Sequence, residues 1–271
     1  MSGVRELEHP INGPRVGAPR RARATIDPAE RLARLRLVRS QNVGPRTYAQ
    51  LIRRFGTAAR AVESLPTLAA RGGRSDYDAA PLAAIEAELA QGHAMGAHLL
   101  TMGEPGYPAL LAMTEPTPPV LWVIGNLDLF QQSSVAIVGA RNASAVGQRT
   151  ARRLARDLGA AGHVIVSGLA RGIDAAAHEA SIGTGTIAVL AGGLDQIYPP
   201  ENQGLAARIA ESGLLVSEVA FGTAPMAKHF PRRNRLISGL ARGVVLIEAA
   251  DRSGSLITAQ FALEQGRDVM A

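Results

Sequence analysis

The segment FPRRNRLISGL (230–240) sets Arg232, Arg233 and Arg235 within four positions, directly behind Lys228, His229 and an aromatic, Phe230. A planar guanidinium can hold two phosphate oxygens at once. A cation beside an aromatic is what a groove needs to track phosphates and stack a base. A solvated basic face has no use for the phenyl ring, nor for Asn234 inside it. The chain holds only five Phe, four Tyr and one Trp, so one ring at this place carries weight. Burial of Phe230 in the core is the competing reading.

Four further segments put Gly, Ser, Asp or Arg just after short apolar runs. They are Gly139-Ala140-Arg141-Asn142-Ala143-Ser144; Ser167-Gly168-Leu169-Ala170-Arg171-Gly172-Ile173-Asp174; Gly192-Gly193-Leu194-Asp195; and Asp251-Arg252-Ser253-Gly254-Ser255. Backbone amides at such turns, where a helix begins, can hold an anion. Strand-to-helix turns need Gly and a capping residue in any case, so one loop alone decides nothing. Four converging loops favour an anionic ligand. Asp174 reads as a helix cap or as an anchor for arginine or backbone groups, and Asp195 as a ligand contact or a turn former.

Several chemistries are excluded. There is no cysteine, hence no thiolate nucleophile, disulfide or cysteine zinc site. Lys228 is the sole lysine, so no Walker-type phosphate loop exists. The first turn offers only Gly139 before its helix, and the second strand ends in Val166-Ser167, where a ribose site wants an acid; NAD and FAD are not expected. No H-E-x-x-H pair or G-x-S-x-G elbow occurs, and no metal or cofactor is expected. His178 reads more readily as structural than as catalytic.

Residues 41–56 form another candidate. Gly44 would let backbone amides approach a phosphate, with Arg46, Arg53 and Arg54 near it; the same run could be an interaction module with solvated arginines. Residues 31–60 carry eight arginines and no acid.

These residues need a scaffold. The 271 residues carry a net charge of +6, with 46% hydrophobic and 19% charged residues, a composition able to bury a core. Residues 1–27, rich in proline and arginine, read as a flexible basic tail. Residues 28–98 carry helical spacing, broken at 41–44, with a loop at 71–81 and a helix at 82–96. Over 99–271 short apolar runs (120–125, 134–139, 163–168, 186–192, 214–219, 243–249) alternate with helical stretches (146–159, 173–182, 202–212, 233–240, 255–265). That pattern predicts a Rossmann-like, doubly wound and mainly parallel sheet. RDVMA (267–271) looks like the start of another strand. No apolar run approaches the length of a membrane span and no signal-peptide core opens the chain, so a cytoplasmic protein is expected.

In order, GARNAS (139–144), SGLARGIDAAAH (167–178), TIAVLAGGLDQIYPPEN (186–202), Ser217-Glu218, FPRRNRLISGL (230–240) and SGSLITAQFALEQGR (253–267) closely resemble the DprA/Smf family, the DNA-processing protein A. The helical region fits a helix-hairpin-helix or sterile-alpha-motif-like domain. The resemblance implies a non-enzymatic protein that binds and protects single-stranded DNA, dimerises, and loads the RecA recombinase during natural transformation. It implies that Arg141 grips the DNA backbone, that the glycines of 167–174 floor the pocket, and that Lys228, Phe230, Arg232, Asn234 and Arg235 line it. Many relatives place a lysine before the T-I-A-V strand, where this chain has Gly185, which removes one expected phosphate contact. Phe261-Ala262-Leu263 and Val269-Met270 could supply a dimer patch or simply cover the sheet. The rivals are a Rossmann-type nucleoside monophosphate hydrolase, whose P-G-G-x-G-T-x-x-E signature is not matched by AGGLDQIYPPE, and a protein-binding scaffold, which would leave the convergent arginine loops without a purpose.

Overall fold

A computed structural model of the protein describes residues 26–251 and 253–271. The expected basic tail lies outside these except for Ile26 and Asp27, and Arg252 lies outside them too.

Four helices come first: α1 (Pro28–Arg39), α2 (Pro45–Phe55), α3 (Ala58–Arg71) and α4 (Leu82–Ala94). α1 and α2 each open on a proline, whose missing amide costs nothing in a first turn. The helical spacing from Tyr48 onward reads as one stretch to about residue 63, but Gly56 (φ +82°) ends α2 and Thr57 caps α3. α1 is buried on two sides because Leu35 and Leu37 stand about 200° apart around it. Leu37 packs with Tyr48, Leu51 and Leu65 inside the helical unit, while Leu35 packs with Ile85 and Trp122 against the sheet.

An ionic clamp fixes the same junction. Arg39 donates to both carboxylate oxygens of Glu88 (2.9 and 2.7 Å) and to the Glu218 carbonyl (3.1 Å), while the Trp122 indole donates to Glu88 (2.7 Å).

The sheet has eight strands: β1 (His98–Thr101), β2 (Val120–Gly125), β3 (Ser134–Gly139), β4 (Val164–Ser167), β5 (Thr186–Val189), β6 (Leu214–Ser217), β7 (Gly243–Ile247) and β8 (Asp268–Met270). Their order is β1-β2-β6-β5-β4-β3-β7-β8, parallel from β6 to β8, with β1 and β2 antiparallel at one edge. β1 was not foreseen: four residues bounded by turns give too short a pattern to read. Helices α5 (Ala109–Ala112), α9 (His229–Gly239) and α10 (Gly254–Glu264) complete one side. There Val138, Val166, Val189 and Val244 meet Leu111, Leu236, Ile237 and Ala262. α6 (Ala145–Ala160), α7 (Ile173–Ser181) and α8 (Gln203–Ser212) lie on the other, where Ile137 and Ile165 meet Ala151, Ala155 and Ile173. Alternate strand residues therefore enter opposite cores, and so the strands read as unbroken apolar runs. This is the doubly wound, Rossmann-like architecture expected, preceded by its helical domain. Among the described residues no helix is long and apolar enough to cross a membrane.

Strand order reverses between β3 and β7, the switch point at which such sheets open a crevice beyond their carboxyl ends. The connection carrying α9 runs from β6 across to β7, bringing the α9 arginines to those strand ends.

Candidate nucleic-acid interface

α9 begins at His229, earlier than the expected 233, because Pro231 falls in its first turn, where a missing amide is tolerated. Helical geometry then sends neighbouring side chains in different directions, and the basic cluster divides. Lys228 and Arg232 are exposed, while Arg233, Asn234 and Arg235 are buried.

Arg233 is the keystone of the carboxyl edge. Its Nη1 donates to the carbonyls of Gly168 and Val189, at the ends of β4 and β5, and its Nε donates to Asn234 Oδ1 (3.1 Å). Asn234 passes the constraint on by donating to the Gly254 carbonyl (2.9 Å). Burial lowers the Arg233 pKa to about 10, which leaves it charged at neutral pH. Asp174 is buried nearby and accepts from the amides of Gly168 (3.1 Å) and Ala170 (3.4 Å). Burial pushes its carboxyl up, opposed by the field of Arg233 and by those amides. Asp174 and Asn234 therefore shape the loops, and both also line the cavity of 640 Å³ over the switch point.

His178 is fully buried and structural. Its Nε2 accepts from the Leu169 amide (3.3 Å), which leaves the proton on Nδ1 to bond Thr186 Oγ1 (2.7 Å), and Thr186 in turn donates to the Ile165 carbonyl (3.0 Å). Burial, and after it Arg233, lower its pKa to about 3. The loop it supports holds Leu169 at φ +57° and Gly172 at φ +73°, a conformation that a glycine tolerates and a buried leucine keeps only under tertiary constraint.

Arg141 is exposed on the turn after β3, with its guanidinium carbon 5.1 Å from the centroid of the Phe230 ring. Arg233 lies 6.0 Å from the same ring, and Tyr198 meets it edge-on with centroids 5.7 Å apart. Phe230 is half-buried and Tyr198 is 48% exposed, so both rings reach the surface. Arg141 and Phe230 form a wall shared by two cavities. One, of 280 Å³, is closed by Arg171, Tyr198 and Pro199. The other, of 640 Å³, opens over the switch point towards Ser253, Gly254 and Ser255. Ser253 and Ser255 bond each other through their hydroxyls (2.8 Å) at the start of α10.

Several other expected residues are tied up by the protein's own bonds. Ser167 is buried and donates to the Ile137 carbonyl (2.6 Å), so it ties β4 to β3. Gly139 and Ala140 lie against the end of β7, with the Ala140 amide bonded to the Ile247 carbonyl (3.2 Å), and both line the larger cavity. Arg171 is exposed and paired with Glu201. Arg235 is not free for a ligand: it pairs with Glu218 and donates to the Pro116 carbonyl (3.0 Å). Gly185 sits at the start of β5, with φ +120°, at the end of the sheet away from the crevice. Its lack of a side chain therefore takes no contact from this site, contrary to the sequence-based expectation.

The N-terminus of α6, the usual phosphate seat of such a fold, is filled by the protein itself. Glu248, at φ +53°, accepts from the Ser144 amide (2.8 Å) and hydroxyl, and the Ser144 hydroxyl in turn accepts from the Gly147 amide (3.0 Å).

A groove of 690 Å³ runs between the helical domain and α9, with Gly44, Pro45 and Arg46 on one wall and His229 and Arg232 on the other. Gly44 and Arg46 thus join the α9 cations. Arg53 and Arg54 do not line this groove: they are exposed in the last turn of α2, with Arg54 over Phe55 (5.2 Å). Tyr198 and Asn142 line the aromatic cavity and were missed in the sequence. The signal for Tyr198 was an aromatic ahead of two prolines on the third strand-end loop.

The profile of the family described as DNA recombination-mediator protein A matches residues 98–271. The chain belongs to that family. A second profile, described as a DprA-like N-terminal HHH domain, matches residues 28–90. Protein Smf of Escherichia coli (strain K12) is 44% identical over 194 residues, 70% of this chain and 52% of its own length. DNA processing protein DprA of Bacillus subtilis (strain 168) is 43% identical over 186 residues, 68% of this chain and 63% of its own. The chain spans about half to three fifths of the length of these relatives. The X-ray structure of DNA processing protein A from Streptococcus pneumoniae superposes with a TM-score of 0.70 at 33% identity, covering 91% of this chain and 86% of that one. DNA processing protein A from Helicobacter pylori, described for its single-stranded DNA binding mode, gives 0.60 at 31% identity, covering 64% of this chain and 79% of that one.

Proposed function

We propose that the carboxyl edge of the sheet binds single-stranded DNA, with Arg141 on the phosphate backbone and bases stacked on Phe230 and Tyr198. The observation that carries this reading is the Arg141–Phe230–Tyr198 cluster, exposed cation and rings in contact at the mouth of two cavities. Ring stacking is indifferent to base identity, and phosphate contacts hold a strand without reading it. Arg232, with Arg46 across the groove, continues the positive lining, and Lys228 is exposed just ahead of α9.

The site binds and does not turn over its ligand. Asp174 and His178, the buried groups of a type able to act as acid or base, are consumed in holding the loop amides. The protein protects incoming DNA and passes it to the RecA recombinase in natural transformation. The family's description as a recombination mediator and the single-strand binding of the Helicobacter pylori relative support that role. It acts in the cytoplasm as a homodimer, for which Leu263 (67% exposed) and Met270 (50% exposed) offer apolar surface near the end of the chain.

Titration with single- and double-stranded oligonucleotides at two salt concentrations tests the reading. Tighter binding of the single strand with little sequence preference is expected, each neutralised phosphate adding about −0.7 to the slope of log affinity on log salt. Equal or tighter duplex binding overturns it. Hydrolysis of nucleoside monophosphates would overturn the non-catalytic assignment.

A further inference from the structure

α6 carries a feature that the strand-end pocket does not use. Its buried face is made of small residues, Gly147, Ala151, Ala155 and Gly159, which let it lie close on the sheet and α7. The opposite face carries Arg149, Arg153 and Arg156, all exposed, within about 60° of arc around the helix and spread over about 10 Å of its length. Among the described residues none of the three has an acidic partner within 4 Å. Arg152, on the flank, pairs with Glu179 (3.4 Å). The other acids nearby are Asp157, on the opposite flank, and Glu248, whose carboxylate is held at the N-terminus of the helix by Ser144. Three unpaired guanidiniums in a row repel one another, and a polyanion laid along them removes that cost.

Continuity with the pocket selects the polyanion. α6 starts three residues after Asn142, which lines the aromatic cavity beside Arg141, and Val146 (61% exposed) begins the same outward face one turn on. Arg149, Arg153 and Arg156 line a shallow depression along that face with Val146. No aromatic lies on it, so it can hold phosphates and cannot stack bases.

We propose that the outward face of α6 is an exit track on which a single strand leaving the pocket past Arg141 lays its phosphate backbone on Arg149, Arg153 and Arg156. This rests on the single-strand reading of the pocket. The track contributes affinity only to strands long enough to emerge, and its contribution is purely electrostatic.

The test uses the full chain and oligothymidylates of about 6 and about 25 nucleotides, the short one filling the pocket alone. In the triple variant Arg149→Ala, Arg153→Ala, Arg156→Ala, affinity for the short strand is expected to stay within about twofold. Affinity for the long strand falls about tenfold, and the salt slope becomes shallower by about 2, three phosphates at 0.7 each. The triple variant Arg149→Lys, Arg153→Lys, Arg156→Lys, which keeps the charges and the fold, restores the long-strand affinity. An unchanged long-strand affinity and slope in the folded alanine variant overturns the track. Equal losses for both lengths overturn it as well, since they mark a diffuse field acting at the pocket. If the short strand fails to bind the unmodified protein, the pocket reading itself falls, and the track falls with it.

Discussion

A side chain at residue 168 would collide with the guanidinium of Arg233: a β-carbon on Gly168 would stand 2.6 Å from Arg233 Cζ. Arg233 cannot swing aside freely, because it is buried and bonded to the carbonyls of Gly168 and Val189. Gly168→Ala is therefore expected to lower stability by about 1–3 kcal/mol, the cost of disrupting a buried hydrogen-bonded charge. DNA affinity falls with it as the loop under Phe230 shifts. Urea denaturation alongside oligonucleotide titration checks both.

Arg141→Ala is expected to leave the unfolding transition in place, since the side chain is exposed and fills no core volume. Single-strand affinity should fall by about 1.5–3 kcal/mol, the worth of a charge-assisted contact. An unchanged affinity in the folded variant would show that the turn after β3 does not face the ligand.

Removing the ring, by Phe230→Ala, should cost about 1–3 kcal/mol of binding, the value of a stacked base. The loss should be similar for oligothymidylate and oligocytidylate and little changed by salt. Comparing salt slopes separates it from the Arg141 effect, which reduces the slope.

Acid should weaken the fold through His178. Its folded pKa of about 3 lies below the ordinary 6.5, so the unfolded chain takes up a proton there that the folded chain refuses. Stability is fully present above pH 6.5 and is lost as pH falls towards 3, by at most about 1.4 kcal/mol per pH unit. Asp174, whose carboxyl is pushed up, acts in the opposite direction. The measurement is thus the difference between the parent and His178→Gln across pH 4–7: the variant should show the shallower dependence.

Arg39→Ala should unfasten the helical domain from the sheet, at a cost of about 3 kcal/mol for leaving Glu88 buried without its partner. The emission of Trp122, the sole tryptophan and bonded to Glu88, reports the change directly.

The sheet was legible because its central parallel strands are buried on both faces, so that SVAIVG (134–139) coincides with β3. The crevice was legible because Gly and Arg cluster after those strands. The division of FPRRNR was not. Arg232, Arg233 and Arg235 are the same residue type within four positions, and only the crossing of α9 under β4 and β5 decides which of them meets carbonyls and which meets water. Ser167 was misread as pocket for a related reason: its bond to Ile137 belongs to strand pairing, which loop composition does not encode. Tyr198 reaches Phe230 from a loop 32 residues away in the chain, a proximity that no local pattern carries.

The Glu248 carboxylate at the start of α6 has a bearing on competition. A cell's pool of free nucleotides and dinucleotides vastly outnumbers the ends and gaps of its single strands. In doubly wound sheets their phosphates ordinarily come to rest on the helix N-terminus after the first parallel strand. Here that place presents a carboxylate whose pKa is lowered by the Ser144 hydroxyl and amide, so a phosphate arriving there would meet an occupied site of its own sign. On the proposed single-strand reading, a polymer held at several points along the neighbouring rings and guanidiniums would have no need of that seat, so plugging it would disfavour the competitors and spare the strand.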